Sequence, residues 1–148
     1  MSLYQRIMVA VDGSDTSLRG LQEAIKLAKD QQAALAILHV VDIVVVFGAG
    51  QFPGTYIDAT RELAQETIAH ARKTAIAAGI EPEIQSPEIV TGGYHVADAI
   101  AERAREWSAN LLVIGTHGRR GVNRLLLGSV AEGVVRVAPC PLLLVRGA

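Results

Sequence analysis

Five short apolar runs, each bounded by turn residues, constrain this chain more than any other feature. They are RIMVAVD (Arg6–Asp12), ALAILHVV (Ala34–Val41), EIQSPEIVTG (Glu83–Gly92), NLLVIG (Asn110–Gly115) and PLLLV (Pro141–Val145). Most lack the polar alternation of a strand with one wet face, so they read as strands buried on both sides. Pro87 cannot donate to a ladder, which marks the third run as an edge strand or a bulged one. Between the runs lie segments of helical period. Leu18, Leu21, Ile25 and Ala28 share one helical face, as do Ala64, Ile68, Ala71, Ala75 and Ala78. Val96, Ile100, Ala104 and Trp107 make a third stripe, and Val130, Val134 and Val137 a short fourth. The order βαβαβαβαβ, with crossovers long enough for helices, predicts a parallel sheet covered on both faces through right-handed connections.

The 148 residues suit one domain, 1–148, able to bury a core without disulfides or a structural metal. With 14 basic and 15 acidic residues the net charge is −1, so no overall field draws the chain to nucleic acid or to anionic membranes. The single cysteine, Cys140, is flanked by Pro139 and Pro141 and fits a reducing compartment; a cytoplasmic location follows as the expectation. With no activating base recognisable, it reads as a packed thiol rather than a nucleophile. The apolar run Ile7–Val11 is too short for a signal peptide, and His39, Asp42, Gly48 and Gly50 interrupt the stretch nearest to membrane length. The connection Asp42–Ile57 suits a lid, a partner-binding flap or an extension of the second strand.

In an open parallel sheet, ligands bind outside the carboxyl ends of the strands, beside the point where winding reverses. Those ends are Asp12-Gly13, Val40-Val41-Asp42, Thr91-Gly92-Gly93 and Gly115-Thr116-His117-Gly118. The last opens GTHGRRGVNRLLLGSV, Gly115–Val130. Its glycines permit close backbone approach, and Ser129 with Glu132 has the spacing of a capping box, so a helix is expected to open there. The first amides of such a helix attract an anion such as phosphate, and Arg119, Arg120 and Arg124 can add charge. Neither the lysine-bearing phosphate loop nor the dinucleotide fingerprint occurs. His117 has no second histidine or cysteine at ligand spacing and does not make a metal site. His39 and His95 suit structural or surface roles, His70 lies on a helix near Arg72 and Lys73, and a turn beside Ser14 and Asp15 is the lesser reading of Asp12.

Gly115, Gly118, Gly128 and Ser129 form G-x-x-G, nine residues, then G-S, which resembles the ATP-binding motif of the universal stress protein family. The similarity extends from IMVAVDGSD through LHVVD to the final GTHGRRGVNRLLLGSVAEGVVRVAPCPLLLVR. The resemblance implies a doubly wound, Rossmann-like α/β domain with a five-stranded parallel sheet in the order 3-2-1-4-5 and helices on both faces. It places ATP, with Mg²⁺ held chiefly by phosphate oxygens and waters, between the ends of the first and fourth strands. By the same resemblance Ala10, Val11 and Asp12 flank the base, with the Asp12 carboxylate accepting from the adenine amino group and the Val40 backbone meeting another edge. Gly115 lies near the ribose, while Gly118, Gly128, Ser129 and the amide of Val130 surround the phosphates, and Thr116, His117 and Arg119 of the same loop are counted in the site. Ala10 stands where many relatives have proline, and Thr91–His95 departs from the commoner G-x-P turn, leaving the ribose-side wall open.

The expected function is a nucleotide-dependent regulator of stress response, read by unidentified protein partners, with no nucleic-acid or membrane partner. A homodimer through Pro141–Val145 follows from the uncovered apolar edge of the last strand. The alternatives are an ATP hydrolase or phosphotransferase using the same site, and an interaction module without nucleotide. The absence of a carboxylate pair near the loop predicts turnover that is slow at most.

Overall fold

The computed structural model describes residues 2–42, 54–85, 88–90, 93–117 and 127–147. The first strand, β1 (Arg6–Val11), leads through helix α1 (Asp15–Gln31) to β2 (Ala34–Asp42), and helix α2 (Gly54–Ala77) leads to β3 (Glu83–Ile84) and β4 (Glu88–Val90). Helix α3 (Gly93–Trp107), β5 (Leu111–Gly115), helix α4 (Ser129–Val137) and β6 (Leu142–Val145) follow. The sheet order is β3-β2-β1-β5-β6, with β4 also on β2, and every pairing is parallel. Since β3 and β4 are two pieces of one edge strand, this is a five-stranded parallel sheet of order 3-2-1-4-5.

The register shows why the edge strand is split. Ile84 faces Ile37 and Glu88 faces Val40, so three residues span the gap on the edge while two span it on β2. One extra residue has entered, as in a bulge, at the stretch that contains Pro87.

Alternate residues of each central strand face opposite cores, as a sheet covered on both sides requires. Ile7, Val9, Val11, Leu35, Ile37, Leu111 and Val113 pack with Leu21, Ala24 and Ile25 of α1 and Ala71 and Ala75 of α2. Met8, Leu38, Val40, Leu112 and Ile114 face the other way, onto Val96, Ile100, Ala104 and Trp107 of α3 and Ala131 and Val134 of α4. The helical stripes read from the sequence are buried in α1, α2 and α3 except at their margins, Leu18 and Ala78. In α4 the stripe is rotated: Ala131 and Val134 are buried, Val130 is half-buried, and Val137, expected to face the core, is exposed on the last turn. The helix ends there, and Ala138 beyond it packs against the core instead.

The connection expected over Asp42–Ile57 is shorter than drawn from the sequence, because β2 continues through Asp42 and α2 already starts at Gly54. Its central part, 43–53, lies outside the described residues. The ion pairs Lys26–Glu23, Arg72–Glu81 and Arg105–Glu102 all sit on exposed side chains. Each contributes about 0–1 kcal/mol, against about 1.5–3 kcal/mol for burying one large aliphatic side chain, so packing rather than charge sets the fold.

At the amino ends of the strands, Asn110 Oδ1 accepts from the amides of Gln5 (3.1 Å) and Arg6 (2.9 Å). The Arg6 guanidinium donates twice to the Trp107 carbonyl (3.0 and 2.8 Å) and lies 4.0 Å over the indole ring. The Trp107 Nε1–H donates to Glu83, tying the edge strand to α3. This end is closed by side chains, which leaves the opposite, carboxyl end for ligands.

Candidate functional site at the carboxyl ends of β1 and β5

From β1 the chain passes to β2 on one side, whereas β5 lies on the other, so the winding reverses between β1 and β5. Asp12 follows directly on β1, and Thr116 and His117 directly on β5, at the two strand ends that flank this reversal.

Asp12 leaves the sheet through Gly13, whose φ of 85° is open to glycine at little cost. Its Oδ1 accepts the amide of Ser14 (2.8 Å) in a tight turn, and its own amide donates to Ser17 Oγ (3.2 Å). Ser14 is the N-cap of α1, its side chain accepting from the Ser17 amide at 3.2 Å. The turn reading of Asp12 therefore holds, and its half-buried carboxylate is aimed by that turn.

On β2 the backbone direction follows from the ladder. The Ala34 amide donates to the carbonyl of Gln5, just before β1, and the Ile37 carbonyl accepts from Gln85 at the edge, so even-numbered residues of β2 turn their backbone groups towards β1. The last pairing with β1 is Val11 with His39. Val40, one residue further, therefore directs its backbone to the space past the end of β1, where Asp12 departs. His39 is buried, and its Nδ1 bonds the Val11 carbonyl.

At β5 the glycine has a packing reason. A Cβ on Gly115 would stand 2.7 Å from Thr16 Cγ2 and 3.0 Å from the Thr16 carbonyl carbon and oxygen, so the first turn of α1 lies directly on the strand end. Thr116 is buried; its amide donates to Val145 of β6 (3.0 Å), and its hydroxyl lies 3.1 Å from His117 Nδ1. The Gly128 amide donates to the Thr116 carbonyl at 2.7 Å. That bond draws the two ends of the glycine loop together and sets the start of α4 beside the end of β5.

The start of α4 differs from the sequence expectation. Gly128, with φ −65° and ψ 161°, is the N-cap and carries no side-chain bond, while Ser129 is the first helical residue. The capping box of Ser129 with Glu132 does not form; the Glu132 amide instead donates to the Gly128 carbonyl at 2.9 Å. An extended Gly128 lets the chain enter the helix one residue earlier, which moves Ser129 from the cap into the exposed first turn. The amides of Ser129, Val130 and Ala131 have no acceptor within the helix and form the positive end of its dipole.

Ala10, Val11, Asp12, Val40, Gly115, Thr116, His117, Gly128, Ser129 and Val130 are thus gathered at the carboxyl edge of adjacent strands and at one helix start. Gly118 and Arg119 lie outside the described residues, as do Arg120 and Arg124. The sequence reading overlooked Ser17 and gave His39 no part in the site. The first had a signal, its place three residues after Ser14 in a helix start; the second had none, because only the β1–β2 register brings it to Val11.

The arrangement offers a carboxylate acceptor at one side and helix-terminal amide donors at the other, which matches a ligand with an amino-bearing base and an anionic tail. Among the described residues no group of three or more His, Cys, Asp or Glu side chains is placed to hold a metal ion. No described helix is long and apolar enough to cross a membrane.

Comparison with known proteins agrees with this geometry. The family model described as the universal stress protein family matches residues 3–146. Universal stress protein YxiE of Bacillus subtilis is 34% identical over 149 residues, covering 97% of this chain and 100% of that protein. A universal stress protein solved in complex with cAMP superposes with a TM-score of 0.73 at 28% identity, over 99% of this chain and 100% of that one. The universal stress protein of Archaeoglobus fulgidus in complex with dAMP gives a TM-score of 0.64 at 26% identity, over 97% and 98% of the two chains. With a sheet of order 3-2-1-4-5 and a family match over nearly its whole length, this chain belongs to the universal stress protein family.

Proposed function

We propose that the protein binds an adenine nucleotide, ATP foremost, between Asp12 and the start of α4, and acts in the cytoplasm as a homodimeric regulator whose occupancy is read by protein partners. The observation that supports this reading is the Gly128–Thr116 hydrogen bond, which brings the start of α4 to the end of β5, the strand across the reversal from β1. The two solved relatives bound to cAMP and dAMP support the base part of the reading, since both ligands share adenine. Ala10, Val11, Asp12 and the Val40 backbone would surround the base. Gly115, Thr116 and His117 would face the sugar, and Gly118, Arg119, Gly128, Ser129 and Val130 the phosphates. Any Mg²⁺ would ride on the phosphates and waters, because the described residues offer no acidic cluster for it. The same poverty of carboxylates makes slow or no hydrolysis the expected behaviour.

One domain spanning 1–148 would pair with its copy through Pro141–Val145. All residues of β6 are half-buried although the strand ends the sheet, and Val135 and Val137 of the preceding helix are 51% and 37% exposed. An apolar sheet edge of this kind is commonly covered by a symmetry mate.

The decisive experiment is isothermal titration of the purified protein with ATP, together with chromatography of any nucleotide released when protein purified without added nucleotide is denatured. Saturable heat or a co-purified adenine nucleotide is the expected result. No heat with ATP, ADP, AMP or cAMP at protein concentrations near 1 mM, corresponding to binding weaker than about 4 kcal/mol, overturns the reading. Rapid multiple turnover of ATP by the pure protein would favour the enzyme reading instead.

A further inference from the structure

Four polar side chains are buried among the described residues, Ser17, His39, Thr60 and Thr116, and two of them meet at a single peptide group. The peptide joining Val11 to Asp12 is the last of β1. Its carbonyl oxygen is held by Nδ1 of His39, from β2, and its N–H is held by Oγ of Ser17, from α1. Ser17 and His39 are each 6% exposed. A carbonyl oxygen can only accept, so the Nδ1 of His39 carries the hydrogen, and the tautomer is fixed by this contact. Ser17 is fixed in turn: its hydroxyl donates to the Ser14 carbonyl at 3.1 Å, and the Ser14 amide holds Oδ1 of Asp12 at 2.8 Å.

A peptide plane is rigid, so clamping both its dipoles removes the rotation that would swing the next residue. The next residue is Asp12. Two hydrogen bonds from different elements, each worth about 0.5–1.5 kcal/mol, therefore fix where the Asp12 backbone leaves the strand, and the Ser14 amide holds its Oδ1 from there. We propose that His39 and Ser17 are positioning residues for Asp12, and that through it they set the preference of the site for a purine carrying an exocyclic amino donor. The inference rests on the adenine-nucleotide reading above and adds how that base is selected. Phosphate binding at α4 is shared by all nucleoside triphosphates, so loosening the clamp lowers affinity for ATP and leaves that for a purine nucleotide without the amino group unchanged.

The test compares binding of ATP with that of purine riboside 5′-triphosphate, which lacks the amino group, in wild type, His39→Leu, His39→Asn and Ser17→Ala. Wild type is expected to favour ATP by roughly tenfold, the value of one good hydrogen bond to a charged group. His39→Leu and Ser17→Ala bring the ratio towards one. His39→Asn restores it, because the asparagine amide nitrogen stands the same number of bonds from Cα as Nδ1. If His39→Leu does not fold, Ser17→Ala, a change of one oxygen, still reports on the clamp. Variants that melt earlier but keep the wild-type ratio would show that both residues serve stability alone, and the proposal falls. A wild-type ratio of one, with both nucleotides bound, removes base selection by Asp12 while leaving nucleotide binding standing. Binding of neither removes both.

Discussion

Gly115→Ala isolates the reason for the first glycine of the loop. The added Cβ would stand 2.7 Å from Thr16 Cγ2 and 3.0 Å from the carbonyl carbon and oxygen of Thr16, where ordinary contact begins near 3.4 Å. The methyl can turn away, but the backbone atoms belong to the first turn of α1 and move only if the helix does. Overpacking of this kind costs about 1–3 kcal/mol, and stiffening the unfolded chain returns about 0.4–1 kcal/mol. The net is a loss of about 1–2 kcal/mol, or about 2–8 °C in Tm for a chain of this size. Because Ser14 and Ser17 ride on the same helical turn, the displacement should also loosen Asp12, so ATP affinity falls along with stability. The assay is a double-mutant cycle with Thr16→Ser, which removes the atom at 2.7 Å and leaves those at 3.0 Å. Gly115→Ala should cost less in that background, but not nothing. Equal cost in both backgrounds, or an unchanged Tm in the first, refutes the packing account.

Three further outcomes follow from other contacts. A Cβ on Gly133 would lie 2.6 Å from the Cβ of Ala97, so Gly133→Ala should lower stability despite a helix-propensity gain of about 1 kcal/mol; in an Ala97→Gly background thermal melts should show the sign reversed. Arg6→Lys keeps the charge but loses the paired bonds to the Trp107 carbonyl, and urea titration should show a loss of about 1–2 kcal/mol. Burial raises the Cys140 thiol above its ordinary 9.0, so the folded state binds its proton more tightly than the unfolded one. Stability from this group is present below pH 9 and falls as pH rises through the folded value, and alkylation near pH 8 should be slow until the protein is unfolded.

The sequence by itself determined the sheet, its parallel sense and the face that most helices bury, because apolar runs without polar alternation admit no solvent-facing side. The edge strand, in which the sequence carries Pro87, is indeed in two pieces. Motif spacing marked the strand ends and the glycine loop, since both are local features. The tertiary structure decided the rest. Whether Ser129 or Gly128 caps α4 depends on how Gly128 meets the Thr116 carbonyl, a contact closed across the loop. Gly115 read as room for a ligand, yet the atoms that forbid its Cβ belong to Thr16, far off in the chain. His39 looked like one more residue of a buried strand until the register set it against Val11. Periodicity encodes which way a side chain faces, but not which distant atom awaits it.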